Sequence, residues 1–264
     1  ELPEVETVRL ALAPVLAGRR IARVHVRKHD LRVPLPHDFA ARLTGRKVRA
    51  VERRAKFLRA RLSGDLTLVV HLGMSGRVRI FKKNPPPPEK HDHVELETDK
   101  GCVIRYHDPR RFGLMALIAD KDLGSHPWFR ALGPEPLDRA FTGAVLAQRL
   151  KGRKTSLKAA LMDQRTVAGL GNIYVSEALF RAGLSPKRGA GTVRGKDVAS
   201  LVRAIKAVLK AAIASGGSSL RDHRQPSGEL GYFQPRFAVY DRAGRPCPGC
   251  TCTVAETGGV RRIV

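Results

Sequence analysis

Leu132-Gly133-Pro134-Glu135-Pro136-Leu137 divides the chain into two kinds of pattern. Two prolines and a glycine so close together stop any regular element. Before this stretch, apolar residues alternate with charged ones: Ala22-Val24-Val26, Leu58-Ala60-Leu62, Val78-Ile80 and Val94-Leu96 fit a period of two, with Arg23, Arg59 and Arg79 on the other face. Ser63-Gly64-Asp65, the proline run 85–88 and Asp99-Lys100-Gly101 punctuate these segments, so residues 20–120 are expected to form a sandwich of short antiparallel strands. After the stretch, Val198, Leu201, Val202, Ile205, Val208, Leu209 and Ala212 recur at helical spacing, closed by Gly216-Gly217. Residues 154–162 read as another helix, and strands are expected again at Phe233, Phe237 and Val239. The pattern predicts an α+β chain divided at 1–132, 133–235 and 236–264.

The first residues carry the acid. Glu1-Leu2-Pro3-Glu4-Val5-Glu6-Thr7 opens a helical stretch, with Val5, Val8, Leu12 and Val15 on one face and Gly18 as its stop. One reading is helix capping, since carboxylates complement the macrodipole at a helix N-terminus. The other is chemistry: an α-amine is a nucleophile with an unperturbed pKa of about 7.7–8.0, and flanking carboxylates can shuttle its protons. Elsewhere the chain is basic. It has 49 Lys and Arg against 24 Asp and Glu in 264 residues, a formal net charge of +25. That balance suits a polyanion, with nucleic acid ahead of an anionic membrane surface. No apolar run approaches the roughly 18 residues of a membrane span, and no signal peptide precedes Glu1, so a cytoplasmic protein is expected.

Several short motifs sit on this frame. Residues 42–61 hold nine Lys or Arg and one acid, Glu52, with Lys56 at the start of a strand. The basic face is expected to meet phosphates. His71-Leu72-Gly73-Met74-Ser75-Gly76 puts a methionine at the tip of a turn, and Asp108-Pro109-Arg110-Arg111-Phe112-Gly113 offers Arg and Phe beside a proline and a glycine. Taken singly each reads as ordinary turn or core chemistry. Together on a basic protein they suit apolar wedges that enter a kinked duplex, with Arg taking the space of a displaced base. Ala168-Gly169-Leu170-Gly171-Asn172-Ile173-Tyr174 runs a glycine-rich turn into a helix, a phosphate cradle, with Lys158 nearby as a second cation. Cys247-Pro248-Gly249-Cys250 is half of a structural zinc site, which needs four ligands. Cys252 is too near to complete it and no histidine follows His223. Either the chain stops inside a zinc hairpin or the pair is a spare set of thiols.

These motifs, in this order and over essentially the whole chain, resemble the formamidopyrimidine-DNA glycosylases. The resemblance implies an N-terminal β-sandwich flanked by helices, then a helix-two-turn-helix domain and a zinc-finger hairpin that is cut short here, with DNA in the cleft between. It implies a monomer acting on damaged double-stranded DNA in base-excision repair. Oxidised purines such as 8-oxoguanine and formamidopyrimidines are removed by base flipping, and the strand is cut by β,δ-elimination through a Schiff base formed by an N-terminal proline amine. Carried onto this sequence, Glu1 assists ring opening and proton transfer, Glu4 holds the site geometry, and Lys56 contacts the phosphate beside the lesion. Met74, Arg110 and Phe112 match the gap-filling and wedging residues, with Arg110 facing the orphaned cytosine. His91, Lys158 and Asn172 match the residues that pin the kinked backbone, and Cys247 and Cys250 match two zinc ligands. Residues 218–233 match the loop that caps the flipped base.

Two departures qualify the match. The family's proline belongs ahead of Glu1, where this numbering has nothing, so a chain that begins at Glu1 is expected to bind lesions without cutting. The second cysteine pair is absent as well. The rival readings are a DNA-bending protein without chemistry, which leaves Glu1, Glu4 and Lys56 unexplained, and the endonuclease VIII branch, against which the ELPEVET start and the Met74, Arg110, Phe112 set count.

Overall fold

The computed structural model describes residues 1–218 and 233–248, and divides the chain into two compact units: Glu1–Ala131 with Ile213–Tyr232, and Leu132–Ala212 with Phe233–Val264. The first unit opens with α1 (Leu2–Leu16), whose first turn holds Pro3, a residue that costs nothing where backbone N–H groups lack intrahelical partners. Leu2, Val5, Val8, Leu12 and Leu16 are buried, and Val15 is half-buried at the edge of this stripe. The helix stops at Ala17, and Gly18, at a left-handed φ of 81°, donates its N–H to the Val48 carbonyl at 2.8 Å. A short α2 (Phe39–Leu43) buries both of its terminal apolar residues.

Eight strands follow the expected antiparallel plan: β1 (Ile21–Val26), β2 (Val48–Arg54), β3 (Phe57–Leu62), β4 (Leu66–His71), β5 (Arg77–Phe81), β6 (Asp92–Thr98), β7 (Val103–His107) and β8 (Leu114–Ala119). They form two four-stranded sheets, ordered β1-β6-β7-β5 and β2-β3-β4-β8. Alternation holds on β3, where Leu58, Ala60 and Leu62 face the core. It breaks on β1, because the pairing with β6 shifts register between Ile21 and Arg23, so that Ile21 is buried and Ala22 is exposed. The central strands β4 and β7 are buried along nearly their whole length, which removes the period of two. A void of about 50 Å³ between the sheets, lined by Leu12, Val70, Val94 and Met115 among others, is an imperfection of core packing rather than a site.

The basic run 42–61 is less free than its composition suggests. Arg46 donates to the carbonyls of Arg42 and Ser63, Arg49 pairs with Asp65, Arg53 with Glu6, Arg59 with Glu52 and Arg61 with Asp120. Arg42 pairs with Asp38 as well, so at least six of the nine cations already have partners inside the protein, which narrows the expected phosphate-facing surface.

The second unit is helical: α3 (Gly143–Leu150), α4 (Leu157–Met162), α5 (Asn172–Arg181) and α6 (Lys196–Ala214), the last reaching past the division at Ala212. The Thr142 hydroxyl caps α3, and the Ser156 hydroxyl caps α4 by accepting the Ala159 N–H at 3.3 Å. That cap makes the helix begin later than the periodicity of 154–162 predicts. The strands expected at Phe233, Phe237 and Val239 are not there. A 3₁₀ turn, Gln234–Arg236, separates the two phenylalanines, whose rings meet edge-on at 5.8 Å while Phe233 packs on Tyr174 at 5.9 Å. Their hydrophobicity serves the helical core rather than a sheet. Among the described residues no helix is long and apolar enough to cross a membrane.

Candidate active site and nucleic-acid interface

In the first unit the chain start, the β2–β3 turn and the end of β4 carry the candidate groups. Glu6 holds the first turn of α1 in place by accepting from Arg9 at 2.6 Å and from Arg53 of β2 at 2.9 Å. Of the three acids in ELPEVET, this one is structural. Glu1 stands at the N-cap position but its side chain does not cap the helix. Glu4 is buried, and its Oε2 lies 3.0 Å from the main-chain nitrogen of Glu1. Its Oε1 accepts two hydrogen bonds from Ser218, from the N–H at 3.0 Å and from the hydroxyl at 2.9 Å. Glu4, in the first turn of α1, thus reaches back to the N-cap nitrogen as the capping reading expects, while its two bonds from Ser218 tie the same buried acid to a distant segment, which capping alone does not explain.

Lys56 sits in the two-residue turn between β2 and β3, after Ala55 at a left-handed φ of 53°. Burial lowers its pKa from the usual lysine range, while the charges of Glu1 and Glu4 oppose that shift. The three residues singled out at the sequence level thus feel one another. His71, which the sequence places in a motif without a role, belongs here too. Burial, helped by the positive charges of Lys56 and Arg32, pushes its pKa down to about 4. Its ring packs 4.9 Å from Phe57, and its Nδ1 accepts the Gly73 N–H at 3.1 Å, which leaves the proton on Nε2. The one sequence signal was a histidine ending the apolar run Leu66–His71.

A test follows from the sign of that shift. The folded protein binds fewer protons at His71 than the unfolded chain between about pH 6.5 and 4, so this residue's contribution to stability is complete above pH 6.5 and is lost as pH falls towards 4. Nitrogen-15 spectra are expected to show His71 as the neutral Nε2–H tautomer down to about pH 5. A ring that titrates near 6.5 would show that the site is open to water.

The expected tips are presented to solvent. Met74 is 68% exposed and Phe112 44% exposed. The Arg110 guanidinium lies over the Phe112 ring, 4.5 Å from its centroid. His91 is half-buried, edge-on to His93 at 6.2 Å and to His107 at 5.9 Å.

In the second unit, Lys158 and Asn172 line one groove of about 840 Å³, along with Ser176, Lys187 and Tyr240. The glycine-rich turn that precedes Asn172 is shaped by Gln164: its Oε1 accepts the Gly169 N–H at 2.8 Å and its Nε2 donates to the Leu170 and Met162 carbonyls at 2.8 and 3.0 Å. Cys247 lines the same groove, whereas Cys250 lies outside the described residues. A tetrahedral zinc needs four ligands. Among the described residues no group of three His, Cys, Asp or Glu is placed to hold a metal.

Residues 1–115 match the model of the formamidopyrimidine-DNA glycosylase N-terminal domain, and residues 132–224 that of the formamidopyrimidine-DNA glycosylase H2TH domain. The formamidopyrimidine-DNA glycosylase of Rhodospirillum rubrum is 56% identical, across 100% of this chain and 94% of that protein. The chain belongs to the formamidopyrimidine-DNA glycosylase family. Among solved structures, the MutM (Fpg) protein of Thermus thermophilus superposes with a TM-score of 0.82 at 42% identity, covering 95% of this chain and 90% of that one. The Lactococcus lactis Fpg (MutM) in complex with Fapy-dG containing DNA gives 0.85 at 31% identity, covering 95% and 91%. Membership makes this a base-excision-repair DNA glycosylase, with abasic-site lyase activity consistent with the family.

Proposed function

We propose that the chain removes oxidised purines such as 8-oxoguanine and formamidopyrimidines from double-stranded DNA, and cuts the strand at the abasic site that results, with Glu1, Glu4 and Lys56 at the reacting nucleotide. The Lactococcus lactis relative complexed with Fapy-dG containing DNA supports that substrate class. The observation that carries the reading is Glu4: a buried carboxylate 3.0 Å from the Glu1 main-chain nitrogen, in the field of a lysine whose pKa is lowered. In a protein otherwise so basic, a buried acid at the chain start is placed to orient an amine one residue upstream.

In this reading that upstream amine attacks C1′ of the flipped nucleotide. The N–C1′ bond forms as the bond to the base breaks, and the base leaves with the electron pair and takes up a proton. The attacking nitrogen gives up its proton to the Glu1 carboxylate, and Glu1 passes it to the ring oxygen as the sugar opens to the iminium. Loss of a C2′ proton then expels the 3′ phosphate, and a second elimination expels the 5′ phosphate. Lys56 holds the phosphate beside the lesion, and His71, neutral with its proton on Nε2, offers a donor alongside it. Met74, Arg110 and Phe112 fill and wedge the gap, Arg110 facing the orphaned cytosine, while His91, Lys158 and Asn172 pin the kinked backbone. Cys247 and Cys250 are assigned to a structural zinc that takes no part in these steps. The enzyme is placed in the cytoplasm as a monomer.

Two preparations test this: one that starts at Glu1 and one with a proline ahead of it. Both are expected to bind an 8-oxoguanine duplex. Only the second should be trapped on it by borohydride, with the adduct mapping to the proline. Efficient strand scission by the first, or an adduct on a lysine in the second, would overturn the assignment.

A further inference from the structure

We infer that Asp108, which offers nothing to solvent, is the positioning residue that sets four of the DNA-facing side chains of the first unit: Met74, His91, Arg110 and Phe112. The inference deepens the assignment of those four residues to DNA and rests on it. Asp108 is fully buried at the end of β7, where the chain leaves the sheet for the Arg110–Phe112 loop. Its Oδ1 accepts the Ser75 hydroxyl at 2.5 Å, and the same Ser75 oxygen accepts the Arg110 N–H at 3.3 Å. This single link fixes the residue next to Met74 against the backbone of Arg110.

The other carboxylate oxygen closes the far side of the loop. Oδ2 accepts the Gly113 N–H at 2.8 Å, directly after Phe112, and the Tyr106 hydroxyl at 3.0 Å. The backbone of Asp108 reaches the fourth residue: its N–H donates to the His91 carbonyl at 3.0 Å, and its carbonyl receives His93 Nε2 at 2.7 Å. The two tip-bearing loops also touch with no room to spare. A Cβ on Gly73 would come within 2.5 Å of the Phe112 carbonyl carbon, and one on Gly113 within 1.8 Å of the Tyr106 hydroxyl. The loops therefore have one way to sit together, and Asp108 is where they are joined.

The chemistry calls for an acid. Three donors from three segments converge on it, and an ionised carboxylate accepts all of them while offering no hydrogen of its own. An asparagine of the same shape would turn an N–H₂ group towards at least one donor.

The test uses a duplex with a tetrahydrofuran abasic site and 2-aminopurine beside the orphaned cytosine, whose fluorescence rises when the tips unstack it. Asp108→Asn and Ser75→Ala are expected to bind undamaged duplex as the parent does, to lose most of the fluorescence rise, and to bind the abasic duplex about tenfold more weakly, the scale of a buried hydrogen bond left unmade. Ser75→Ala removes only the link between the loops, so it keeps the test valid should Asp108→Asn fold poorly. An unchanged rise in both variants overturns the inference, as does an equal loss of affinity for damaged and undamaged duplex. Met74→Ala and Phe112→Ala separate the two levels. If they lose the rise while Ser75→Ala and Asp108→Asn keep it, only the role of Asp108 falls. If they too keep it, the assignment of the tips falls and the inference with it.

Discussion

In the protein that carries a proline ahead of it, Glu1→Gln is expected to lower base excision by about 10²–10⁴-fold, the usual contribution of a positioned general acid or base. Glutamine keeps the size and the hydrogen-bonding reach of the side chain but cannot deliver a proton as the sugar ring opens. The side chain does not cap α1, so the helix start should survive the change. Affinity for a tetrahydrofuran duplex should stay within about twofold of the parent, which separates chemistry from recognition. Single-turnover release of 8-oxoguanine reads the first quantity, and fluorescence anisotropy reads the second. Excision within tenfold of the parent would remove Glu1 from the proton transfers and leave Glu4 as the remaining candidate.

Glu177→Ala should give the largest loss of stability. This carboxylate is buried on α5, and it accepts the backbone N–H groups of Ala238 at 2.9 Å, Val239 at 2.9 Å and Tyr240 at 2.9 Å. Removing it strands three half-buried donors, a cost of about 2–3 kcal/mol because water can reach them only in part. The thermal transition carrying the second unit should fall by roughly 10 °C. Glu177→Gln retains an acceptor oxygen and should cost less. A fall of under about 2 °C for the alanine variant would mean that the segment ahead of Cys247 is held by other contacts.

The parts of this protein that could be read from the chain are those written in short stretches. HLGMSG and DPRRFG announce exposed tips because glycines and a proline frame large side chains, and Met74 and Phe112 are indeed exposed. The alternating strands of residues 20–120 were legible wherever one face meets solvent, as on β3. Where strands are covered on both faces, as in β4 and β7, the alternation vanished, and on β1 a single bulge moved burial from Ala22 to Ile21. Phe233 and Phe237 looked like strand residues because hydrophobic spacing does not say which surface will cover a side chain. What stayed hidden were pairings between distant segments. Nothing near Asp108 in the chain points to Ser75, nothing near Glu177 points to Val239, and the separation of 214 positions between Glu4 and Ser218 conceals the contact that sets the first apart as more than a helix-start acid.

The stacking of the Arg110 guanidinium on the Phe112 ring bears on how this protein lives between lesions. A lone aromatic on a solvent-facing loop is a sticky surface, prone to self-association and to idle contact with undamaged bases. Here a cation lies across the ring, so the hydrocarbon is sheltered while the loop stays charged and well hydrated at its edge. In the role proposed for these two residues, insertion into a duplex exchanges one stacked neighbour for another instead of stripping bare water from the ring, so that each base step is probed at lower cost.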